Sequence, residues 1–188
     1  MVSGMLAQDV LTTVPTTTAE ALDVFDAAPA VEPEFMLGTW RGAEVPTGHP
    51  LDGLLAVSGW WGKQFLSAEK VHPLLFPTRD GNALWAMNPV LAFGSLGVAT
   101  KLPFIKHLSL TRPVTALRPV LRTSAPKARL RTTRYRGVDT ATMIYDQLPI
   151  NDVFRKLSED EVIGAMDLRG VPRPYFFVLR RDTSLPVL

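Results

Sequence analysis

Between residues 127 and 181 the chain reads as five strand-length runs, "KARLRTTRYR", "TATMIYDQ", "INDVFRKL", "EVIGAMDL" and "PYFFVLRR". The connectors "GVD", "LP", "SED" and "RGVPR" are short turn signals, so successive runs must pair antiparallel. Further strand-like runs near 35–41, 71–76 and 83–88 bring the number to about eight, with room for one or two more in the segment between 89 and 126. Short, evenly spaced strands in this number predict a closed antiparallel β-barrel of about 8–10 strands, because closure removes exposed edges. A barrel of that size can enclose one small ligand.

The remaining segments attach to this barrel. Residues 1–16 read as a flexible tail, and 17–188 as a single barrel domain, which suits a 188-residue chain. Thr17 and Glu20 form a capping box ahead of "AEALDVFDAA", which predicts an N-terminal helix with Leu22 and Phe25 on one face; Pro29 and Pro33 forbid its continuation. Pro50 and the stripe Leu51, Leu54, Leu55 predict a short helix over about 50–58, closed by Gly59. "VHPLLF" and "ALWAMN" flank "PTRDGN" as a hairpin. The connector 89–126 suggests helical pieces near 90–101 and 112–121, with Thr111 as a cap and Pro113 in the first turn, covering one end of the barrel.

Composition removes several classes of chemistry. Without cysteine there is no disulfide, thiolate metal site or cysteine nucleophile. His49, His72 and His107 show no ligand spacing, so no metal site is expected. No G-x-S-x-G elbow, P-loop, dinucleotide-binding glycine pattern or H-E-x-x-H is present. The first eighteen residues lack the basic and apolar regions of a secretory signal, which points to a cytoplasmic protein. Residues 83–100 are uncharged, but Asn88, Pro89, Gly94 and Gly97 interrupt them; a strand entering an apolar connector is the reading, not a transmembrane segment.

The net charge of +2 conceals six acids and no base in residues 1–40, against ten bases and no acid in residues 101–136. Either the two segments pack together or the basic one meets an anionic partner. The candidate aromatic positions do not interleave with the basic run, so nucleic acid is not favoured. Within that run Lys127, Arg129 and Arg131 share one strand face, whereas Arg134 and Arg136 fall on the other. A bulge near Thr132 and Thr133 would return all five outward; otherwise two arginines point into the barrel.

In "FMLGTWRGAEV" the glycines at 38 and 42 leave space around Trp40, either as a plug for a barrel end or as a ligand wall. "LGTWRG" resembles the glycine-x-tryptophan signature of lipocalin-like barrels. With "GWWGKQF", "VHPLLF", "KARLR" and "ATMIYDQLPINDVF" downstream, the chain is similar to the bacterial GXWXG family over roughly residues 35–181. That resemblance implies a lipocalin-like fold and is silent on activity. A more distant similarity is to nitrobindin-type haem barrels, whose opening element continues into a glycine-rich tract ending in Tyr-Pro; here the chain reads "GAEVPTGHP" instead.

The expected architecture is therefore a mainly β, lipocalin-like barrel with an N-terminal helix and a partly helical connector over one end. The expected function is binding or carriage of a hydrophobic small molecule or lipid-like metabolite, with Trp40, Trp61, Lys63, His72, Met87, Met143, Tyr145, Met166 and Phe176 as candidate contacts. A cofactor-independent isomerase or cyclase using Tyr145, Asp152, Asp167 or His72 for proton transfer is the alternative. Haem, with His72 as ligand, is the third reading. Lys63 alternates between reaching an acidic head group and snorkelling at the surface. Asp146, flanking the Pro149 turn, reads as a local backbone partner.

Overall fold

All five C-terminal runs are strands, and they form most of a closed wall. In the computed structural model, which describes residues 5–93 and 111–188, the strands are β1 (Gly38–Val45), β2 (Gly62–Ser67), β3 (Lys70–Pro77), β4 (Leu84–Ala86), β5 (Ala128–Tyr135), β6 (Val138–Tyr145), β7 (Ile150–Ser158), β8 (Glu161–Leu168) and β9 (Tyr175–Arg181). Neighbours follow the order β2-β1-β9-β8-β7-β6-β5-β3, and a further pairing of β3 with β2 closes eight strands into a barrel. β4 is a ninth strand paired to β3, and its Leu84 also bridges to Val187 near the C-terminus. β2 comes from "GWWGKQF", a run that the pattern of short alternating segments did not mark as a strand.

Helix α1 (Thr18–Ala27) begins at the expected box: the Thr17 hydroxyl accepts from the Glu20 amide, and the Glu20 carboxylate accepts from Thr17 N–H. It lies on the outside of the barrel, where Phe25 meets the edges of Tyr135 and Phe176 at 6.0 and 6.2 Å between ring centres. Residues 5–16 lie on the same outer face, with Ala7 and Leu11 buried in a cluster that includes Val45, Ile163, Phe176 and Val178. The middles of β8 (Val162–Met166) and β9 (Tyr175–Leu179) are consequently buried on both faces, as expected of strands covered on both sides. Arg155 is also buried on this outer face, its guanidinium over the Phe25 ring and donating to the Ala28 carbonyl.

One end of the barrel is closed by a 3-10 turn, Pro33–Met36, and by Trp40 at the start of β1. The Trp40 indole N–H donates to the Met36 carbonyl at 2.7 Å. The Arg181 guanidinium lies 4.3 Å from the centre of the Trp40 ring and also donates to the carbonyls of Phe35 and Leu37. The other end is crossed by residues 46–61, which include α2 (Leu54–Ser58) between Gly53 and Gly59, both left-handed. Beyond β4 the connector holds α3 (Pro89–Phe93), then α4 (Thr111–Ala116) and α5 (Arg118–Leu121). The expected helical piece over 90–101 falls mostly outside the described residues. The piece over 112–121 is two short helices broken at Leu117.

Neither expected account of the basic run holds. β5 pairs with β6 without a register shift from Ala128 opposite Tyr145 to Tyr135 opposite Val138, so there is no bulge. Arg134 keeps the parity of Ala128 and Leu130, yet Thr132 on that face is already exposed, and Arg134 meets Asp139 in solvent. Arg136 leaves the strand altogether: it occupies a left-handed turn position and pairs with Asp26 of α1. That bond is an ion pair between the acidic N-terminal and basic central segments; Arg129 and Arg131 pair with Asp146 and Glu69. Among the described residues no helix is long and apolar enough to cross a membrane.

Candidate functional site

Beneath α2 the barrel interior retains a cavity of about 60 Å³, lined by Leu51, Leu54, Leu55, Trp60, Lys63, Leu74, Tyr145, Asp152, Met166, Tyr175 and Phe177. Elsewhere the interior holds buried apolar side chains, among them Phe65, Leu130, Met143, Phe154 and Leu179. The cavity is an order smaller than the several hundred Å³ of a pocket for a drug-sized ligand. It has room for roughly four or five water-sized groups.

Its polar content is concentrated at one spot. Lys63 projects from β2 and Asp152 from β7, and they form an ion pair of 2.8 Å across the lumen, with both side chains almost fully buried. The ammonium also donates to the Pro73 carbonyl at 3.2 Å. It lies 5.4, 5.9 and 5.1 Å from the ring centres of Trp60, Tyr145 and Phe177. Asp152 Oδ2 is taken by Lys63, whereas Oδ1 has no hydrogen-bond partner among the described residues; nor has Trp60 Nε1. A buried acceptor left this way costs free energy until a donor reaches it.

Burial raises the Asp152 carboxyl above its ordinary range, with the Lys63 charge pulling the other way. The Tyr145 hydroxyl is pushed well up by complete burial and, secondarily, by the Asp152 charge. On the far side of the cavity the Tyr175 hydroxyl donates to Glu44 Oε2 at 2.5 Å, and Glu44 Oε1 accepts from the Gly53 amide. Glu44, too, is raised by burial, against the pull of its Tyr175 bond. That second pair fixes the entry to α2. Asp52 completes the anchor by accepting from the amides of Thr47 and His49.

Of the residues singled out from sequence, Lys63, Tyr145, Asp152 and Met166 converge on the cavity. Trp40, Met87 and Met143 lie in the inner apolar cluster away from it. Trp61 faces outward into a cluster with Leu75, Leu84 and Ala86, and Phe176 lies under α1. Asp167 takes the face opposite Met166, and His72 is buried outside the lining, where desolvation lowers its pKa. Of the adjacent Trp60 and Trp61 the sequence reading took Trp61, whereas Trp60 lines the cavity, and it passed over Leu74, Tyr175, Phe177 and Glu44. The signal for Trp60 was the second glycine of the motif: a Cβ on Gly42 would stand 2.1 Å from the Trp60 ring. Gly42 thus makes room for Trp60 rather than for an approach to Trp40.

A haem does not fit this arrangement, because the cavity is far too small and His72 does not face it. Among the described residues no group of three or more His, Asp or Glu side chains is placed to hold a metal ion.

A closed eight-stranded antiparallel barrel with one extra strand, short helices and a small cavity beneath α2 is a lipocalin-like barrel, a fold compatible with small-molecule binding. The chain belongs to the GXWXG family. Its residues 23–81 match the model for the GXWXG protein family, and residues 126–181 match that for a domain of unknown function, DUF4334. It is similar to a protein from Thermomonospora curvata of known crystal structure, with 32% identity, 87% of this chain and 86% of that chain covered, and a TM-score of 0.64. Among curated proteins no sequence matches.

Proposed function

We propose that the barrel binds a small, uncharged, largely apolar molecule whose one polar group rests on the Lys63–Asp152 pair beneath α2. The observation that carries this reading is the buried ion pair facing an otherwise apolar cavity with one carboxylate oxygen unpartnered. The charges of Lys63 and Asp152 cancel, so an ionic ligand gains no net attraction there. A ligand carboxylate would meet Asp152 and, beyond it, Glu44, while a ligand ammonium would meet Lys63. A hydroxyl or carbonyl avoids both costs, and a hydroxyl gives Asp152 Oδ1 its missing donor.

The free volume narrows the expectation of a lipid-like metabolite to a molecule of a few carbons unless α2 moves aside. A panel of four-carbon compounds tests this, followed by indole and amide NMR shifts of the whole chain. Butan-1-ol and butan-2-one are expected to shift Trp60 and the residues around Asp152, and butanoate is not. Equal or stronger response to butanoate, or no response to any of the three, removes the reading.

The raised Asp152 carboxyl beside an ammonium favours a second reading, acid-base catalysis on such a molecule. Because Asp167 and His72 lie outside the cavity, this chemistry rests on Asp152, with Tyr145 as the neighbouring hydroxyl. Deuterium exchange into the C–H next to the carbonyl of butan-2-one, followed in heavy water, measures it directly. Exchange no faster than buffer, or unchanged in Asp152→Asn, eliminates the catalytic reading and leaves binding intact.

A further inference from the structure

We infer that Lys63 is a covalent capture site for small aldehydes, forming an imine whose counter-ion is Asp152. The inference rests on the proposed binding of a small uncharged molecule and adds to it the functional group that the ligand bears. Three features lead to it. Among the described residues Lys63 is the one lysine in the cavity lining, and its amine stands over three aromatic rings with an apolar space beside it. Its partner is a carboxylate 2.8 Å away that burial makes a better proton acceptor than an exposed one. The unpartnered oxygen of that same carboxylate stands ready for a hydroxyl that does not yet exist in the free ligand.

The chemistry closes on these groups. The Lys63 ammonium passes one proton across the 2.8 Å contact to Asp152, which leaves a neutral amine beside a neutral carboxyl. The freed amine lone pair attacks the aldehyde carbon: the C–N bond forms, the C=O π bond breaks, and the oxygen takes the Asp152 proton while the nitrogen still carries its own. A nitrogen proton then returns to Asp152, giving a neutral carbinolamine whose new hydroxyl is the donor that Oδ1 lacks. Protonation of that hydroxyl by the Asp152 carboxyl expels water as the C–O bond breaks and the nitrogen lone pair makes C=N. The product is a protonated imine paired with the Asp152 carboxylate, and one water has left. No oxidant, metal or cofactor enters the balance. A charged ammonium and its carboxylate have become a charged iminium and the same carboxylate, so the site's charge is unchanged, and the aromatic rings that faced the ammonium face the iminium.

The test uses the whole folded chain with butanal and cyanoborohydride, which fixes an imine as a stable secondary amine, and reads the modified lysine by peptide mass mapping. Lys63 is expected to gain a butyl group at least about tenfold faster than Lys70, Lys101, Lys106, Lys127 or Lys156, because the bound aldehyde is held against its amine. Butan-1-ol should slow labelling at Lys63 and leave the other lysines unaffected, and unfolding in urea should erase the preference. In Asp152→Asn the rate at Lys63 is expected to fall by roughly a hundredfold, while a circular-dichroism spectrum like the parent's shows that the barrel persists. Labelling confined to the other lysines overturns the inference. If butanal and butan-1-ol shift the Trp60 signals but Lys63 stays unlabelled, capture is wrong and the binding reading stands. If neither compound shifts them and Lys63 stays unlabelled, both fall.

Discussion

Lys63 and Asp152 show how a residue's role depends on what the barrel places opposite it. In sequence they are 89 positions apart, and Lys63 alone reads as a surface side chain with a long apolar stem. β2 and β7 face each other across the lumen, and only that closure turns a lysine and an aspartate into a buried pair. Removing one partner leaves a buried charge uncompensated. Lys63→Met is therefore expected to lower unfolding free energy by about 3–5 kcal/mol, read from urea melts. The double variant Lys63→Met with Asp152→Leu, which removes both charges, should recover most of that loss. A single variant within about 1 kcal/mol of the parent would show that the pair is solvated rather than buried.

At the scale of elements, the sequence was most readable where one face of a strand meets water and least readable where both faces are covered. The turn-bounded runs from 127 to 181 became β5 to β9, and the Thr17–Glu20 box became the start of α1, because turns and caps are decided locally. Which face of a strand points inward was harder. In β9 the five residues Tyr175 to Leu179 are all buried, so alternation could not tell Phe177, in the lumen, from Phe176, under α1. Trp60 and Trp61 pose the same ambiguity, since Leu75 and Leu84 cover the outer of the two. The signals that resolve both cases are glycines: Gly164 lies against the Phe177 ring and Gly42 against Trp60. Gly42→Ala should accordingly push Trp60 off β1 and cost about 1–3 kcal/mol by overpacking. Gly42→Ala combined with Trp60→Leu should regain most of it, and melts of the single and double variants check both steps. If the double variant is no better than the single, the Gly42 contact is not with Trp60.

For the whole molecule, closure of the barrel, the Trp40 plug at one end and α2 at the other frame a small space beneath α2 among the described residues. The strand count and the glycine-tryptophan signature made the container legible. The contents were only half legible: Lys63, Tyr145, Asp152 and Met166 came together, while His72, Asp167 and Phe176 did not, because long-range register and outer covering decide those positions. The free volume was not legible at all, since it depends on how completely residues such as Phe65, Leu130 and Phe154 fill the lumen. The central claim, that this space receives a small uncharged molecule at the Lys63–Asp152 pair, is tested most directly by a crystal structure after soaking with butan-1-ol. The expected result is the alcohol in the cavity with its hydroxyl within hydrogen-bond distance of Asp152 Oδ1 and its chain against Leu54, Leu74 and Phe177. An empty cavity with the alcohol bound elsewhere, or a lumen closed by repacked side chains, would contradict it.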